Sequence, residues 1–403
     1  MQDISYTGPS EMDEHTERFS RERAAGYSRE IIDRSDVVLA GCGALGQFVA
    51  LVLALSGFPK ITFIDMDIFE ESNISRSPFF RLGWNKAKAT ALYAKQLCTA
   101  TGSAVYAYST DMVQRLGDAI FTRAPNTIVF AAVDNLAARF WLAQRCRLTG
   151  IPLVEGGFHA QRWNSSVFPN RNAKEPCWAC DHAGERTSSR VFSCDAYARA
   201  AIRGGAIPAT ATGAMALAAH QVEAAIAMLH GDLTLASSTI FGHLRQGPSF
   251  VMKRIPNVDC ALNHRIVVSE AVPLSTSPCD SVGQLLADVA QLVPAPIVGL
   301  PASFIRVAPC AQCRQPAVVE EPDWALEGPP VCGACGGRFE RSTARVPEQH
   351  GMLSEPTSED ILNIPLSMLG LGPGLHVNVT GPKDRLTVRL AGNVTDFLTR
   401  ADG

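Results

Sequence analysis

DVVLAGCGALGQFVALVLALSGFPKITFID, residues 36–65, is the stretch on which the fold turns. Residues 37–40 are apolar and begin with two β-branched valines, so DVVLA (36–40) reads as a buried strand, and 41–46 spell G-C-G-A-L-G. Residues 45–55 are rich in Leu and Ala and read as a buried helix, after which ITFID (61–65) repeats the strand pattern. Taken as one apolar run, Val37–Phe58 is long enough to suggest a membrane span. Four glycines and Gln47 interrupt it, and its composition changes halfway from β-branched to Leu/Ala-rich, so a strand, a glycine turn and a helix fit it better.

The alternation continues outward. A helix is expected from Asn85 to about residue 100, strands at 103–108 and 127–133, a helix over Leu136–Leu148 and a strand at 151–156. Strands alternating with helices predict an α/β fold: a doubly wound, mostly parallel, Rossmann-like sheet covered on both faces. Residues 157–168 then alternate, 177–205 are polar and loop-like, and Ala209–Leu229 reads as an Ala-rich helix. Beyond about 265 the chain is Pro-rich and weakly periodic, with a helix expected at Ser281–Val293, a strand at 302–307 and a hairpin from 375–381 and 385–392. The expected organisation is a charged, helical N-terminal segment (1–35), a large domain (36–268) and a smaller α+β domain (269–403).

Of the 403 residues, 46% are hydrophobic, enough for a sizeable core. A net charge of -3 and a pI near 6.3 give no electrostatic case for nucleic acid or a membrane surface as partner. The first residues, MQDISYTGPSEMDEHTER, are polar and acidic and lack the apolar stretch of a secretory signal, so a cytoplasmic location is expected. Half of the 12 cysteines fall in three C-x-x-C pairs, a pattern that favours metal binding in a reducing compartment over disulfides.

Gly41, Gly43 and Gly46 sit between a strand and a helix. Glycine there permits a tight turn and lets backbone N–H groups approach a phosphate at a helix N-terminus. Asp65, at the end of the next strand, is placed to accept the ribose hydroxyls. That much suits NAD, FAD or ATP. Downstream come Asp67, Asn73, Arg76, Lys86 and Asp134. A dehydrogenase has no need of such a set, whereas an enzyme that splits ATP between its α and β phosphates uses cations to neutralise the departing pyrophosphate and an acid to hold Mg²⁺.

The run GCGALG…IDMDIFEESNISR…GWNKAKA…AAVDN resembles the ThiF/MoeB/E1 superfamily of carboxylate-adenylating enzymes, whose pattern is G-x-G-x-x-G, D-x-D, N-x-x-R, G-x-x-K and D-N; the resemblance covers about residues 15–265. It implies an E1-like enzyme that uses ATP to activate the C-terminal carboxylate of a small ubiquitin-like or sulfur-carrier protein with a glycine tail. On this resemblance Asp65 holds the ribose, Asn73, Arg76 and Lys86 contact the phosphates, and Asp134 binds Mg²⁺ at the adenylation centre. Glu17-Arg18-Phe19-Ser20-Arg21 is similar to the family segment whose second arginine reaches into the partner subunit, which points to Arg21 and a homodimer. A similar run, Tyr27-Ser28-Arg29-Glu30, lies nearer the first strand.

The same resemblance assigns structural Zn²⁺ to Cys177, Cys180, Cys260 and His264, although the family's second pair is C-x-x-C and here it is C-x-x-x-H; thiolate and imidazole both suit zinc. Cys194, in a polar crossover loop over about 181–208, matches the family's reactive cysteine, which takes the acyl group as a thioester. Cys42, Cys98 and Cys146 read as packing residues. Cys310, Cys313, Cys332 and Cys335 have zinc-ribbon spacing on their own account, placing a ribbon at 308–338 that staples a module with little core of its own. The domain order is similar to E1-like proteins of bacterial ubiquitin-like conjugation operons, including Bil-type antiphage systems, and this implies an E2-like partner and a role in antiviral defence. An NAD-dependent oxidoreductase and a sulfur-carrier adenylyltransferase of thiamin or molybdopterin synthesis are the competing readings.

Overall fold

The computed structural model describes residues 18–98, 104–109, 116–121, 126–134, 136–159, 161–181, 209–247, 249–260, 264, 271–299, 304–310, 312–322, 332–337, 352–354 and 362–394. The larger sheet has strands β1 (Ser35–Ala40), β2 (Lys60–Ile64), β3 (Ala104–Tyr108), β4 (Asn126–Ala131), β5 (Leu153–His159), β6 (Arg162–Phe168), β7 (Ser238–His243) and β8 (Phe250–Lys253). Their order is β3-β2-β1-β4-β5-β6-β7-β8. The first five are parallel and the last three antiparallel. The sheet is thus mostly parallel, as expected. The antiparallel pair β7 and β8 was not legible in the sequence.

Central position explains the apolar β1. Val37, Val38, Leu39 and Ala40 are all buried, because both faces of the strand are covered. On one face lie Phe48, Val49 and Leu53 of the helix Ala44–Leu55, Ala87 and Ala94 of the helix Lys86–Cys98, and Leu217 and Val222 of the helix Ala211–Leu229. The other face carries Trp141 and Leu142 of the helix Leu136–Thr149, together with the Cys177–Cys180 turn. Each fully buried Leu, Val or Phe of this core contributes about 1.5–3 kcal/mol relative to exposure. Cys42, Cys98 and Cys146 are buried in these layers, as packing residues would be.

Ahead of β1, two short helices (Ser20–Ala24 and Arg29–Ile32) lie against the same domain. Arg29 donates to the carbonyls of Ser56 (2.7 Å) and Gly57 (2.8 Å) and stacks over Phe19. It thereby ties the N-terminal segment to the end of the helix Ala44–Leu55.

The C-terminal region has a core of its own, which the weak periodicity concealed. Short strands β9 (Val272–Pro273), β10 (Ile297–Gly299), β13 (Met352–Ser354), β14 (His376–Thr380) and β15 (Arg385–Arg389) form a sheet ordered β13-β10-β14-β15-β9. Leu285, Leu286 and Val289 of the helix Val282–Ala290 pack on Val377, Val379 and Val388. The expected hairpin is β14–β15. The first cysteine pair lies in the connection between the strands of a separate two-stranded ladder, β11 (Phe304–Pro309) and β12 (Pro316–Pro322), and the second pair follows it in sequence, so this module does not depend on them for all of its packing. It docks on the larger domain through Asp118, whose Oδ2 accepts from the His376 amide (2.8 Å) and from Arg145 (3.2 Å).

Candidate functional site

Strand order reverses between β1 and β4, and crevices at such switch points, beyond the carboxyl ends of the strands, are where open α/β sheets bind ligands. The glycine loop leaves β1 there. Gly41 has φ +90, and a β-carbon on it would lie 2.5 Å from the Ala132 carbonyl oxygen after β4. Gly46 lets the first turn of the helix pass over Gly41. Gly43 differs from both: a β-carbon there would meet nothing within 4 Å. The loop is therefore packed on its inner side and open at Gly43, on the N-terminal end of the helix, where the dipole favours an anion.

Asp65 follows β2 and faces this loop. Its carboxylate accepts from the Cys42 amide (2.6 Å) and the Asp67 amide (2.9 Å). Burial pushes its pKa up from the usual carboxylate range, against the opposing pull of those two amides and of Lys86. Lys86 Nζ lies 2.9 Å from Asp67 Oδ2, with the lysine side chain 14% exposed. Burial alone disfavours its charge, but the bond to Asp67 and the fields of Asp67, Asp65 and Asp134 outweigh that and hold its pKa above the ordinary lysine value. The sequence-predicted Asp65, Asp67, Lys86 and Asp134 are thus gathered into one electrostatic group, although they come from three separate segments.

Asn73 and Arg76 lie on a 3-10 helix, Glu71–Arg76. The Asn73 side chain accepts from the Glu70 amide (3.0 Å), closing a capping box, and Arg76 donates to the Ser72 carbonyl (2.7 Å). These two side chains bond within their own turn. Arg21 is on the exposed helix Ser20–Ala24. Cys194 and nearly all of the 181–208 loop lie outside the described residues.

Two positioning residues escaped sequence reasoning. Asn85 donates to the carbonyls of Asp65 (2.8 Å) and Asp67 (3.0 Å), while its own Oδ1 accepts from Lys88 N. It caps the helix that begins at Lys86 and binds the acidic loop to it. An Asn just before a helix is a capping signal, and that could have found it. Buried Gln47 holds the backbone of Phe79 through both amide atoms, at 3.0 and 3.4 Å. Nothing in the apolar run marked that role in advance.

The cysteines assemble into two clusters. Cys177, Cys180, Cys260 and His264 are all buried, with ligand atoms within 4.8 Å of one another. Cys177 Sγ is 3.6 Å from Cys260 Sγ, and Cys180 Sγ is 3.0 Å from His264 Nε2. His264 Nδ1 lies 3.2 Å from the Ala173 carbonyl, an arrangement that directs Nε2 at the sulfurs. Cys310, Cys313, Cys332 and Cys335 form the second cluster, also within 4.8 Å. There, Gln312 N and Gly337 N donate to the sulfurs of Cys310 and Cys335, at 3.4 Å each. Both donor sets suit a tetrahedral thiophilic cation.

This glycine loop, acidic–lysine cluster and sheet belong to a recognised class: the chain is a member of the ThiF family, whose sequence profile matches residues 18–261, more than half of its length. Over 166 residues the chain is 28% identical to the adenylyltransferase and sulfurtransferase MOCS3 of Xenopus laevis, covering 40% of this chain and 36% of the relative. With MOCS3 of Mus musculus it shares 24% identity over 248 residues, 56% of this chain and 50% of the relative. It is also 33% identical over 154 residues to ubiquitin-like modifier-activating enzyme 7 of Homo sapiens, covering 36% of this chain and 15% of that protein. The chain therefore spans half or less of the length of these relatives. Among solved structures, the microcin C7 biosynthetic enzyme MccB in complex with N-formylated MccA shares the fold, with a TM-score of 0.50 at 18% identity over 63% of this chain and 77% of that one. Among the described residues, no helix is long and apolar enough to cross a membrane.

Proposed function

We propose that this chain adenylates the C-terminal carboxylate of a small ubiquitin-like or sulfur-carrier protein. The observation that carries this reading is Lys86 set among Asp65, Asp67 and Asp134, with Asp65 bonded to the amide of Cys42, next in sequence to the open Gly43. Three carboxylates against one ammonium leave an excess of negative charge that suits Mg²⁺. The open glycine loop at a helix N-terminus suits ATP phosphates. Asp65 is poised for the ribose, and Arg76 and Asn73 turn from their local bonds to the triphosphate on binding. A carboxylate oxygen of the carrier tail attacks the α-phosphorus, the bond from that phosphorus to the oxygen bridging the β-phosphate breaks, and pyrophosphate leaves; Mg²⁺, held by Asp134, would neutralise its charge. Positioning and charge neutralisation supply most of the rate.

In the second step the Cys194 thiolate attacks the acyl-adenylate carbonyl, the acyl–phosphate bond breaks, and AMP leaves as the thioester forms. Arg21 acts from the partner subunit of a homodimer. Of the two N-terminal arginine runs, Arg29 is engaged on its own chain, which favours Arg21. Both cysteine clusters hold Zn²⁺, the first with three thiolates and an imidazole, the second as a ribbon. An E2-like protein receives the acyl group in a cytoplasmic conjugation pathway of antiviral type.

The test is ATP–pyrophosphate exchange with candidate carriers ending in glycine. Carrier-dependent exchange is expected, and a carrier truncated by its last glycine should give none. Absence of exchange together with NAD reduction would instead establish an oxidoreductase. Sulfur-carrier activation, suggested by the name of the MOCS3 relatives, would appear as adenylation followed by thiocarboxylate on the carrier rather than an isopeptide conjugate.

A further inference from the structure

We propose that Arg147 is the counter-charge of a metal-loaded cluster of Cys177, Cys180, Cys260 and His264, and that it governs how long this site keeps its metal. The proposal rests on reading that cluster as a zinc site.

Arg147 lies near the end of the helix Leu136–Thr149, with no exposed surface. Its Nη2 donates to the carbonyls of Asn172 (2.7 Å) and His264 (3.0 Å), and its Nη1 to Asn170 Oδ1 (3.5 Å). Every one of these acceptors is neutral. Its Nε is buried and has no partner. Among the described residues no carboxylate forms an ion pair with it. The nearby acid, Glu175, is taken by Arg171, 2.6 Å from its Oε1. A guanidinium buried without an opposite charge is costly, so the neighbourhood must supply an anion.

Besides Glu175, already paired with Arg171, the described groups whose charge can act on Arg147 are the sulfurs of Cys177, Cys180 and Cys260. With their protons on, they carry no charge and Arg147 stays unpaired. When they bind Zn²⁺ as thiolates, three negative charges and a neutral imidazole leave the site at -1. Arg147 brings the pair to zero, while Arg171 and Glu175 cancel each other. The geometry adds a second link. The guanidinium grips the carbonyl of His264, a residue in left-handed backbone (φ +52), and so holds the residue that presents Nε2 to Cys180. Arg147 makes none of its described hydrogen bonds to a ligand atom. It is a positioning residue, acting through the charge and the backbone of the site.

The experiment uses the full chain, purified with zinc, and follows zinc release to a chromogenic chelator alongside zinc content by mass spectrometry. Loss of one release phase in Cys260→Ser identifies the phase that belongs to this cluster. In Arg147→Met that phase should accelerate by about tenfold or more, the range seen when the outer shell of a metal site is lost. Arg147→Lys keeps the charge but not the fork, and should stay within about threefold of wild type. Asn170→Asp, nearly isosteric, offers Arg147 a rival anion and should also speed release; it serves if Arg147→Met does not fold. Equal loss in the Lys and Met variants would reduce Arg147 to a backbone clamp and overturn the charge role, as would wild-type release from both Arg147→Met and Asn170→Asp. A wild-type chain whose zinc content is unchanged by Cys260→Ser overturns the metal reading itself, and that result is distinct from either of the others.

Discussion

Gly46 sits so close to Gly41 that a β-carbon on Gly46 would lie 1.9 Å from the Gly41 carbonyl oxygen, whereas Gly43 between them faces open space. The three glycines of one motif therefore do different work. Gly46→Ala forces backbone apart and should destabilise the fold by about 1–3 kcal/mol or more, as overpacking does. Gly43→Ala should leave the melting temperature near wild type yet weaken ATP binding about tenfold or more, ~1.4 kcal/mol. Paired calorimetry and ATP titration check both, and a Gly43→Ala chain with unaltered ATP affinity would move the nucleotide away from this loop.

Lys86 is the one cation held within the acidic cluster among the described bonds. Lys86→Met should lower carrier-dependent pyrophosphate exchange by about 10²–10³, the cost of losing a preorganised charge partner in the transition state. Circular dichroism should show the fold retained. Near-normal exchange in this variant would shift the chemistry to other residues.

Mixing offers a check on Arg21. The Arg21→Ala and Lys86→Met chains should each be inactive as homodimers. Co-expressed, they should regain part of the wild-type rate, because one of the two composite sites has both residues intact. No recovery, with mixed dimers present, would place Arg21 in its own subunit's site or in none.

Cys194→Ala should keep pyrophosphate exchange and lose the reductant-sensitive adduct with the carrier on a non-reducing gel. An adduct that survives would assign the thioester to another cysteine. Buried Cys42 and Cys146 are poor alternatives, since burial pushes both thiols well above their usual pKa.

Tyr27 donates to Glu223 on the helix Ala211–Leu229, joining the N-terminal segment to the domain. Burial first, and then the bond and charge of Glu223, push its pKa up to about 12 from 10.0. The folded state thus favours the neutral phenol. Its stabilisation is fully present below pH 10.0 and is lost as pH rises towards about 12, where the unfolded chain ionises before the folded one. The melting temperature of wild type should fall more steeply than that of Tyr27→Phe across this window.

The sequence by itself determined the strand–helix alternation behind the mostly parallel sheet. Val37–Ala40, the glycine loop and Asp65 lie within one short stretch, 36–65, and the periodicities of strand and helix are local properties that need no tertiary context to be read. The pairing within Cys310–Cys313 and Cys332–Cys335 was legible for the same reason, since C-x-x-C spacing is local, and the structure brings the two pairs together. The tertiary structure decided what depends on distance along the chain. The strands Val272–Pro273, Ile297–Gly299 and Met352–Ser354 are too short to show a period, and only their pairing with the later hairpin makes a sheet and a core. Asn85 and Gln47 carry ordinary local signals, and their roles arise from backbone brought to them by folding. Arg147 is an unremarkable basic residue in a helix until burial removes its water; its bond to the His264 carbonyl and the electrostatic influence of Cys177, Cys180 and Cys260 then turn its charge into a constraint, because an isolated buried charge is costly.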